Sequence, residues 1–182
     1  MRPLPVEGGL FRQTWAGPPG PDGRPSGTAI IVLLTGGDGG DGPAEGSAGD
    51  STKDSAGDFS ALHRLPTDEV WHFYEGDPLT LLTLFPDGTD RLTRLGGPGG
   101  EVQTVVPAGA WMGARVAPGG RWSLFGTTMA PGFLPEDYDG ADTEEVERLA
   151  SHHARHADLI RSLHRADAPG RMTGPDDDTP AG

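Results

Sequence analysis

The chain contains no cysteine and only one lysine, Lys53, and these two shortages exclude several kinds of chemistry. Without cysteine there is no disulfide, no thiolate nucleophile and no cysteine-ligated zinc or iron–sulfur site. Lys53 lies in a glycine-rich stretch, so no residue is suited to form a buried Schiff base or a phosphate-binding G-x-x-x-x-G-K-[ST] loop. Pyridoxal chemistry and P-loop chemistry are therefore excluded.

Long apolar runs and clustered positive charge are missing as well. No apolar stretch approaches the roughly 18 residues of a membrane-spanning helix, and the first residues, Met1 to Pro5, lack the apolar centre of a signal peptide. The chain has 14 basic and 27 acidic residues, a net charge of −13, and no basic stripe that could bind nucleic acid. We expect a cytoplasmic protein that binds neither nucleic acid nor membrane.

Glycine and proline are abundant instead, with 30 and 18 of 182 residues. Residues 36–58 contain eight glycines and six acidic residues, and the tail from 166 to 182 is rich in proline and aspartate. Such segments bury too few apolar groups to offset the entropy lost on ordering, so we predict a disordered insertion at 36–57 and a disordered tail at 166–182. The rest suits a single domain spanning residues 1–165.

Most of the chain before residue 142 has the short apolar runs and Gly/Pro turns that are typical of β-strands. The run from Thr28 to Leu34 is continuously apolar and β-branched, which indicates a strand buried on both faces. Roughly eight strands at this spacing predict an all-β or mainly β barrel or sandwich. Further strands are predicted at 69–74, 79–85, 91–95, 102–106, 111–116 and 121–129.

The hydrophobic period changes after residue 142. Between residues 143 and 165 the apolar positions have the spacing of one helical face, and Asp142 or Thr143 can serve as the N-cap. We therefore predict one amphipathic α-helix at the C-terminal end of the domain.

The segment from Gly57 to Gly76 carries the most informative motif. Its spacing resembles the first motif of the cupin superfamily, G-x5-H-x-H-x3,4-E-x6-G, at Gly57, His63, Glu69 and Gly76. Leu65 stands where that motif has its second histidine. The turns of the motif are present. Of its metal ligands, the first histidine and the glutamate are present and the second histidine is missing.

A second set of motifs extends the resemblance over nearly the whole chain. Pro107-Ala-Gly109 resembles the second cupin motif, with Met112 and Val116 in place of its histidine and asparagine. The chain is also similar to a branch of small cupins, mostly of unknown function. The motifs shared with that branch are E-G-G-x-[FY]-R at 7–12, H-R-L-x-x-D-E-V-W-H-F at 63–73, V-V-P-A-G-x-W at 105–111 and G-x-x-x-x-P-G-F at 126–133.

This resemblance implies a double-stranded β-helix, the small jelly-roll barrel whose open mouth holds a ligand. The predicted fold is therefore a cupin barrel with a C-terminal α-helix, and cupins are usually homodimers. A small polar molecule is the expected ligand. Because one fold hosts many reactions, the function has to come from the site itself.

The resemblance also implies where a metal would lie. A metal-dependent cupin needs three or four converging ligands, typically three histidines and one glutamate, and only His63 and Glu69 occupy such positions here. We therefore predict no metal and no cofactor. A weak divalent-ion site at His63 and Glu69, with Gln103 as a third ligand, is left open, as is a degenerate metal-dependent oxygenase.

Without a metal, His63 and Glu69 are the candidate catalytic residues. A histidine paired with a carboxylate in a cavity can act as a general base, because the carboxylate fixes the imidazole tautomer and raises its pKa. Nucleotide-sugar epimerases, which are cupins similar in shape, use a histidine base and a tyrosine acid in this way. The other interpretation is a buried, hydrogen-bonded histidine with a structural role.

Eight further residues are candidates for the ligand-binding wall of the barrel. Arg12 or Arg115 would hold an anionic group of the ligand, although a Glu7–Arg12 salt bridge and plain core packing are the alternatives. Residues 136–139 and the helical histidines 152, 153 and 156 are interpreted as structural. The eight candidates are Glu7, Arg12, Trp71, Phe73, Gln103, Trp111, Met112 and Arg115.

Two functional classes follow from these residues. The first is an isomerase or epimerase of a carbonyl-bearing or sugar-like metabolite, with His63 as the base and Glu69 orienting it. The second is a non-catalytic cupin that only binds its small molecule.

Overall fold

The structure is a computed structural model that describes residues 1–37, 57–166 and 170–172. Most of the predicted insertion (36–57) and tail (166–182) lies outside the described residues. The strands are β1 (Arg2–Pro3), β2 (Leu10–Ala16), β3 (Thr28–Thr35), β4 (Phe59–Arg64), β5 (Glu69–Gly76), β6 (Leu79–Leu84), β7 (Asp90–Leu95), β8 (Gln103–Val106), β9 (Trp111–Val116), β10 (Trp122–Met129) and β11 (Asp139–Gly140). The α-helices are α1 (Thr143–His152) and α2 (Ala157–Ser162).

The strands form two antiparallel sheets that face each other. The six-stranded sheet has the order β1-β2-β3-β10-β5-β8, and the five-stranded sheet has the order β11-β4-β9-β6-β7. Strands that are distant in sequence are neighbours in both sheets, as in a jelly roll. The predicted mainly β cupin barrel is therefore confirmed, and its C-terminal end is helical as predicted.

Two apolar clusters hold the domain together. The first lies between the sheets and is built around Trp71 and Phe125, whose stacked rings have centroids 5.0 Å apart. The second lies between the outer face of the five-stranded sheet and the two helices, where Leu82 meets Leu149 and Ile160. Because the helices cover the outer face, strands of this sheet are buried on both sides.

Four strands of the structure are absent from the sequence prediction: β2, β4 and the two-residue strands β1 and β11. Strand β4 has five consecutive residues that are buried or half-buried, so it lacks the alternation that marks a strand with one wet face. Strand β2 also lacks the alternation, because almost all of its residues are exposed. The alternation rule detects neither kind of strand.

The single helix predicted for residues 143–165 is wrong, because the structure breaks it in two. Asp142 caps α1 by accepting a hydrogen bond from the backbone N–H of Glu145 at 2.8 Å. The chain leaves the α-helical conformation at His153, makes one 3₁₀ turn and continues as α2. At the break, His153 and His156 both turn toward the carboxylate of Asp90, each at 3.0 Å. No helix in the described residues is long and apolar enough to span a membrane.

Candidate functional site

A partly open cavity of about 420 Å³ lies at one end of the barrel. On the six-stranded sheet, Met129 of β10 is paired with Thr28 of β3 on one side and with Glu69 of β5 on the other. All three residues line the cavity. The N-terminal segment and a segment after β10 complete the wall. The lining residues are Arg2, Pro3, Leu4, Pro5, Glu7, Phe11, Gln13, Thr28, Ile30, His63, Leu65, Glu69, Thr127, Met129, Phe133, Pro135, Tyr138 and Met172.

His63 lies in this wall with only 1% of its surface exposed. Its Nδ1 is 2.7 Å from the carbonyl oxygen of Ala61. Because a carbonyl only accepts, Nδ1 carries the proton, and Nε2 of the neutral ring is the nitrogen that can take up a proton. A shift in the pairing register of β4 between Ser60 and His63 puts both residues on the cavity side, although a regular strand would separate them.

Tyr138 stacks on the His63 ring, with centroids 4.9 Å apart and an angle of 18° between the rings. It is held there because β11 pairs with β4, which places Gly140 opposite His63. Burial raises the pKa of the Tyr138 hydroxyl above its ordinary value, and the nearby negative charge of Glu7 raises it further. The hydroxyl therefore keeps its proton at neutral pH and can act as a hydrogen-bond donor.

Glu69 is 7% exposed, and its carboxylate accepts a hydrogen bond from the indole Nε1 of Trp71 at 2.8 Å. Burial raises the pKa of Glu69 to about 7, while His63 opposes this rise and Glu7 adds to it. Near neutral pH the side chain therefore changes between its neutral and its charged form. It does not orient His63 through Nδ1, as the sequence suggested, since Ala61 occupies that nitrogen.

Glu7 reaches the cavity from the turn that joins β1 to β2. Its Oε1 accepts a hydrogen bond from Ser60 at 2.7 Å, and it forms no salt bridge with Arg12 among the described residues. Its backbone N–H donates to the carbonyl of Pro5 at 2.6 Å, closing a three-residue γ-turn around Val6. Val6 has a φ of 64°, a left-handed conformation that a β-branched residue adopts only under strain.

Replacing Val6 tests this strain. Val6→Gly and Val6→Ala both remove the half-buried side chain, but only glycine relieves the left-handed backbone. We expect Val6→Gly to be more stable than Val6→Ala by about 1 kcal/mol in urea unfolding. Alanine is usually the more stable of the two, so an alanine variant that equals or exceeds the glycine variant would contradict the strain.

Of the ten residues predicted for the site, three line the cavity: His63, Glu69 and Glu7. Arg12 does not, because it lies on β2 between Phe11 and Gln13, which both do. Neighbouring residues of a strand point to opposite faces, so the Arg12 side chain is exposed to solvent outside the barrel. The role predicted for Arg12 in holding an anion inside the cavity has no support in this geometry.

Trp71 and Phe73 lie behind the cavity wall rather than in it. Trp71 is completely buried, and it acts on the site indirectly, through its hydrogen bond to Glu69. Phe73 is half-buried and packs against the apolar cluster between the sheets. Gln103 is exposed on the outer face of β8, where its Nε2 donates to Nδ1 of His72 at 3.0 Å.

The β9 residues Trp111, Met112 and Arg115 also lie outside the cavity. Trp111 packs against the helices, and the guanidinium of Arg64 lies 4.7 Å above its ring. Met112, on the opposite face of β9, is buried in the cluster between the sheets. Arg115 donates to the hydroxyl of Ser162 on α2 at 3.3 Å. Alternation along β9 alone excludes a common wall for Trp111 and Met112.

Tyr138, Arg2 and Phe11 are among the cavity residues that the sequence analysis missed. Tyr138 was assigned to a turn, and nothing in the local sequence indicates that residue 138 stacks on residue 63. Arg2 belongs to the two-residue strand β1, and its guanidinium lies 5.1 Å above the ring of Phe11. Phe11 could have been found, since it stands in the E-G-G-x-[FY]-R motif two positions from Gly9.

The residues present do not fit the metal that the fold suggests. Two of the four expected ligand positions hold Leu65 and Met112, whose side chains are apolar or only weakly coordinating. The other two positions hold His63 and Glu69, which is fewer ligands than the three or four that a metal-dependent cupin needs. In the described ranges no group of three histidines or carboxylates is arranged to hold an ion. The predicted third ligand, Gln103, lies outside the cavity.

Comparisons with known proteins agree with this architecture. The sequence model of the family described as "Cupin superfamily (DUF985)" matches residues 53–141. Comparison with curated proteins found no match. An X-ray structure of a protein from Shewanella oneidensis is similar, with 27% identity, a TM-score of 0.68, and coverage of 88% of this chain and 89% of that one.

Two further solved structures extend the comparison. A hypothetical protein from Leishmania major has 24% identity and a TM-score of 0.65 over 88% of this chain and 92% of its own. Oxalate decarboxylase from Bacillus subtilis has 13% identity and a TM-score of 0.53, and the match covers 92% of this chain but 38% of the decarboxylase. At these identities the likeness concerns the fold alone.

Proposed function

Because the chain belongs to the cupin superfamily, whose barrel hosts many chemistries, we propose a function from the cavity itself. The protein is a metal-independent acid–base catalyst that isomerises or epimerises a small carbonyl compound. The observation that carries this proposal is the stacked pair of His63 and Tyr138 in the wall of the cavity. One is suited to accept a proton and the other to donate one.

His63 is the base in this proposal. The hydrogen bond from Nδ1 to Ala61 fixes the tautomer, so that Nε2 has the free electron pair. A backbone carbonyl thus performs the orienting role that the sequence assigned to Glu69. Glu69 contributes through its negative charge. The charge of His63 lowers the pKa of Glu69 and so favours this charged form.

Tyr138 is the acid. Nε2 of His63 removes a proton from the carbon beside the carbonyl, and the C–H electron pair becomes the carbon–carbon double bond of an enolate. The carbonyl π electrons move to the oxygen, which takes the hydroxyl proton of Tyr138 or its hydrogen bond. Return of the proton to carbon, from either face or at the neighbouring position, gives the epimer or the isomer.

A second function, ligand binding without turnover, is favoured by the burial of the same pair. Both His63 and Tyr138 are 1% exposed, as a purely structural stack would be. In that case the cavity would still hold a small molecule, but no proton would be exchanged.

Proton exchange with solvent distinguishes the two functions. We expect the protein in D₂O to replace the hydrogen beside the carbonyl in at least one member of a panel of hydroxyketones, aminoketones and aldoses, followed by ¹H NMR. Because no metal takes part, the rate should be unchanged after dialysis against a chelator. A rate that falls on chelation and returns with a divalent metal would contradict the proposal, and binding without exchange would favour the second function.

A further inference from the structure

The charges that face the cavity are unevenly distributed. Two carboxylates, Glu7 and Glu69, line the wall and are close enough for the charge of Glu7 to raise the pKa of Glu69. Against them stand the imidazole of His63 and the guanidinium of Arg2. Arg2 belongs to the exposed edge strand β1, whereas Glu69 and His63 are buried. The buried part of the cavity is therefore acidic.

Other arginines near the cavity are already neutralised by carboxylates. Both terminal guanidinium nitrogens of Arg24, Nη1 and Nη2, donate to Asp137, at 2.5 and 2.9 Å. Arg165, whose charge influences Tyr138, donates to Asp58 at 2.9 Å. Arg12 and Arg115, which were expected to hold an anion, lie outside the cavity. An anionic ligand would find little to balance its charge in the buried part of the cavity.

The remainder of the wall is apolar and aromatic. It includes Phe11, Ile30, Leu65, Met129 and Phe133. The ring of Phe11 already carries a cation, since the Arg2 guanidinium lies over it, as a cation–π contact requires. A ligand rich in hydroxyl groups, such as a sugar, would leave many of them without a partner against these side chains.

We propose that the cavity binds a small molecule with a protonated amine at one end and an apolar or aromatic body, its ammonium group facing Glu7 and Glu69. This inference rests on the proposed function for the identity of the site, and it names the class of substrate. The ammonium group supplies the hydrogen-bond donors that the two carboxylates need where water is excluded. The apolar or aromatic part of the ligand replaces water along the apolar wall of the cavity. A carbonyl compound carrying such an amine meets both requirements.

The pH dependence of binding follows from Glu69 and from the other titratable groups that line the same cavity, which are Arg2, Glu7, His63 and Tyr138. Tyr138 stays neutral, and Glu7 is joined to Ser60 by a hydrogen bond. Since the pKa of Glu69 is about 7, a cation gains its partner only as the pH rises through that value. Amine binding is therefore stronger at higher pH, as long as the amine itself stays protonated.

Three probes of the same shape and different charge test the proposal on the intact chain. They are 2-phenylethylamine, 2-phenylethanol and phenylacetate, which are cationic, neutral and anionic at neutral pH. In isothermal titration calorimetry we expect the amine to bind at least about tenfold more tightly than either of the others, a difference of about 1.4 kcal/mol. Equal affinity, tighter binding of phenylacetate, or no binding of any probe at millimolar concentration would overturn the proposal.

A pair of variants locates the effect. Glu7→Gln keeps an acceptor for Ser60 but loses the charge, and it should weaken 2-phenylethylamine about tenfold while leaving 2-phenylethanol unchanged. Glu75→Gln makes the same chemical change at an exposed position of β5 and should alter neither affinity. An effect on both probes, or none, would overturn the assignment. If the amine binds as expected but no carbonyl compound exchanges its proton, the ligand class stands and the proposed reaction fails.

Discussion

His63→Gln is expected to slow proton exchange beside the substrate carbonyl by about 10²- to 10⁴-fold, the contribution of a well-placed general base. Glutamine can still donate a hydrogen bond to the Ala61 carbonyl, so it replaces the one contact that orients the ring. It cannot accept a proton at neutral pH. The loss should therefore fall on the rate and much less on substrate binding.

The matched control is His72→Gln, which removes an imidazole from the other face of β5. His72 bonds to Thr128 and Gln103 outside the cavity, so its replacement should leave the exchange rate unchanged. Thermal unfolding of both variants separates a loss of chemistry from a loss of structure. A His63→Gln protein that is folded and exchanges at the normal rate would exclude His63 as the base.

Most strands of the barrel could be predicted, because they have one face exposed to solvent or are bounded by turns. The prediction for β9 has the same bounds as the strand in the structure, Trp111–Val116, and that for β3 stops one residue short, at Leu34. Glycine and proline mark the ends of both strands. The cupin resemblance then gave the arrangement of the strands in space, which no local pattern contains.

The buried pair at positions 63 and 69 could be located in the same way, because the spacing of the motif places both in the barrel. What surrounds them could not. Tyr138 reaches His63 through the pairing of β11 with β4, a contact between segments about 75 residues apart. Ala61 satisfies Nδ1 because of a register shift in β4, and a shift of one residue has no mark in the sequence.

The errors at Arg12 and Arg115 have a different origin. Both were selected for their charge, although the side-chain alternation along their strands places them away from the cavity. Taking Phe11 as inward-facing, as the aromatic position of its motif allows, would have placed Arg12 outside. With Phe11 rather than Arg12 facing inward, the cavity loses an arginine that was expected to bind an anion, and its carboxylates are left to set its charge.

Glu69→Gln is expected to stabilise the protein at high pH and to change its stability little at low pH. Burial raises the pKa of Glu69 from 4.5 to about 7 in the folded state, so folding favours the neutral form. The stability that this group contributes is fully present below pH 4.5 and is lost as the pH rises through about 7. Glutamine is neutral at every pH and can still accept the hydrogen bond of Trp71. The expected gain above pH 8 is about 3 kcal/mol in the free energy of unfolding.

Urea unfolding at about pH 5 and about pH 8.5 measures this effect as the change in stability between the two pH values in the natural protein minus the same change in the variant. The titration of groups that do not interact with Glu69 cancels in this comparison. Glu75→Gln, an exposed carboxylate on the same strand, should show no such dependence on pH. If Glu69→Gln were less stable than the natural protein at the higher pH, the ionised carboxylate would be satisfied in the folded state. Glu69 would then be charged throughout the neutral pH range. The affinity for the amine would no longer increase as the pH rises through about 7, but the cavity would still bind a cation more tightly than an anion.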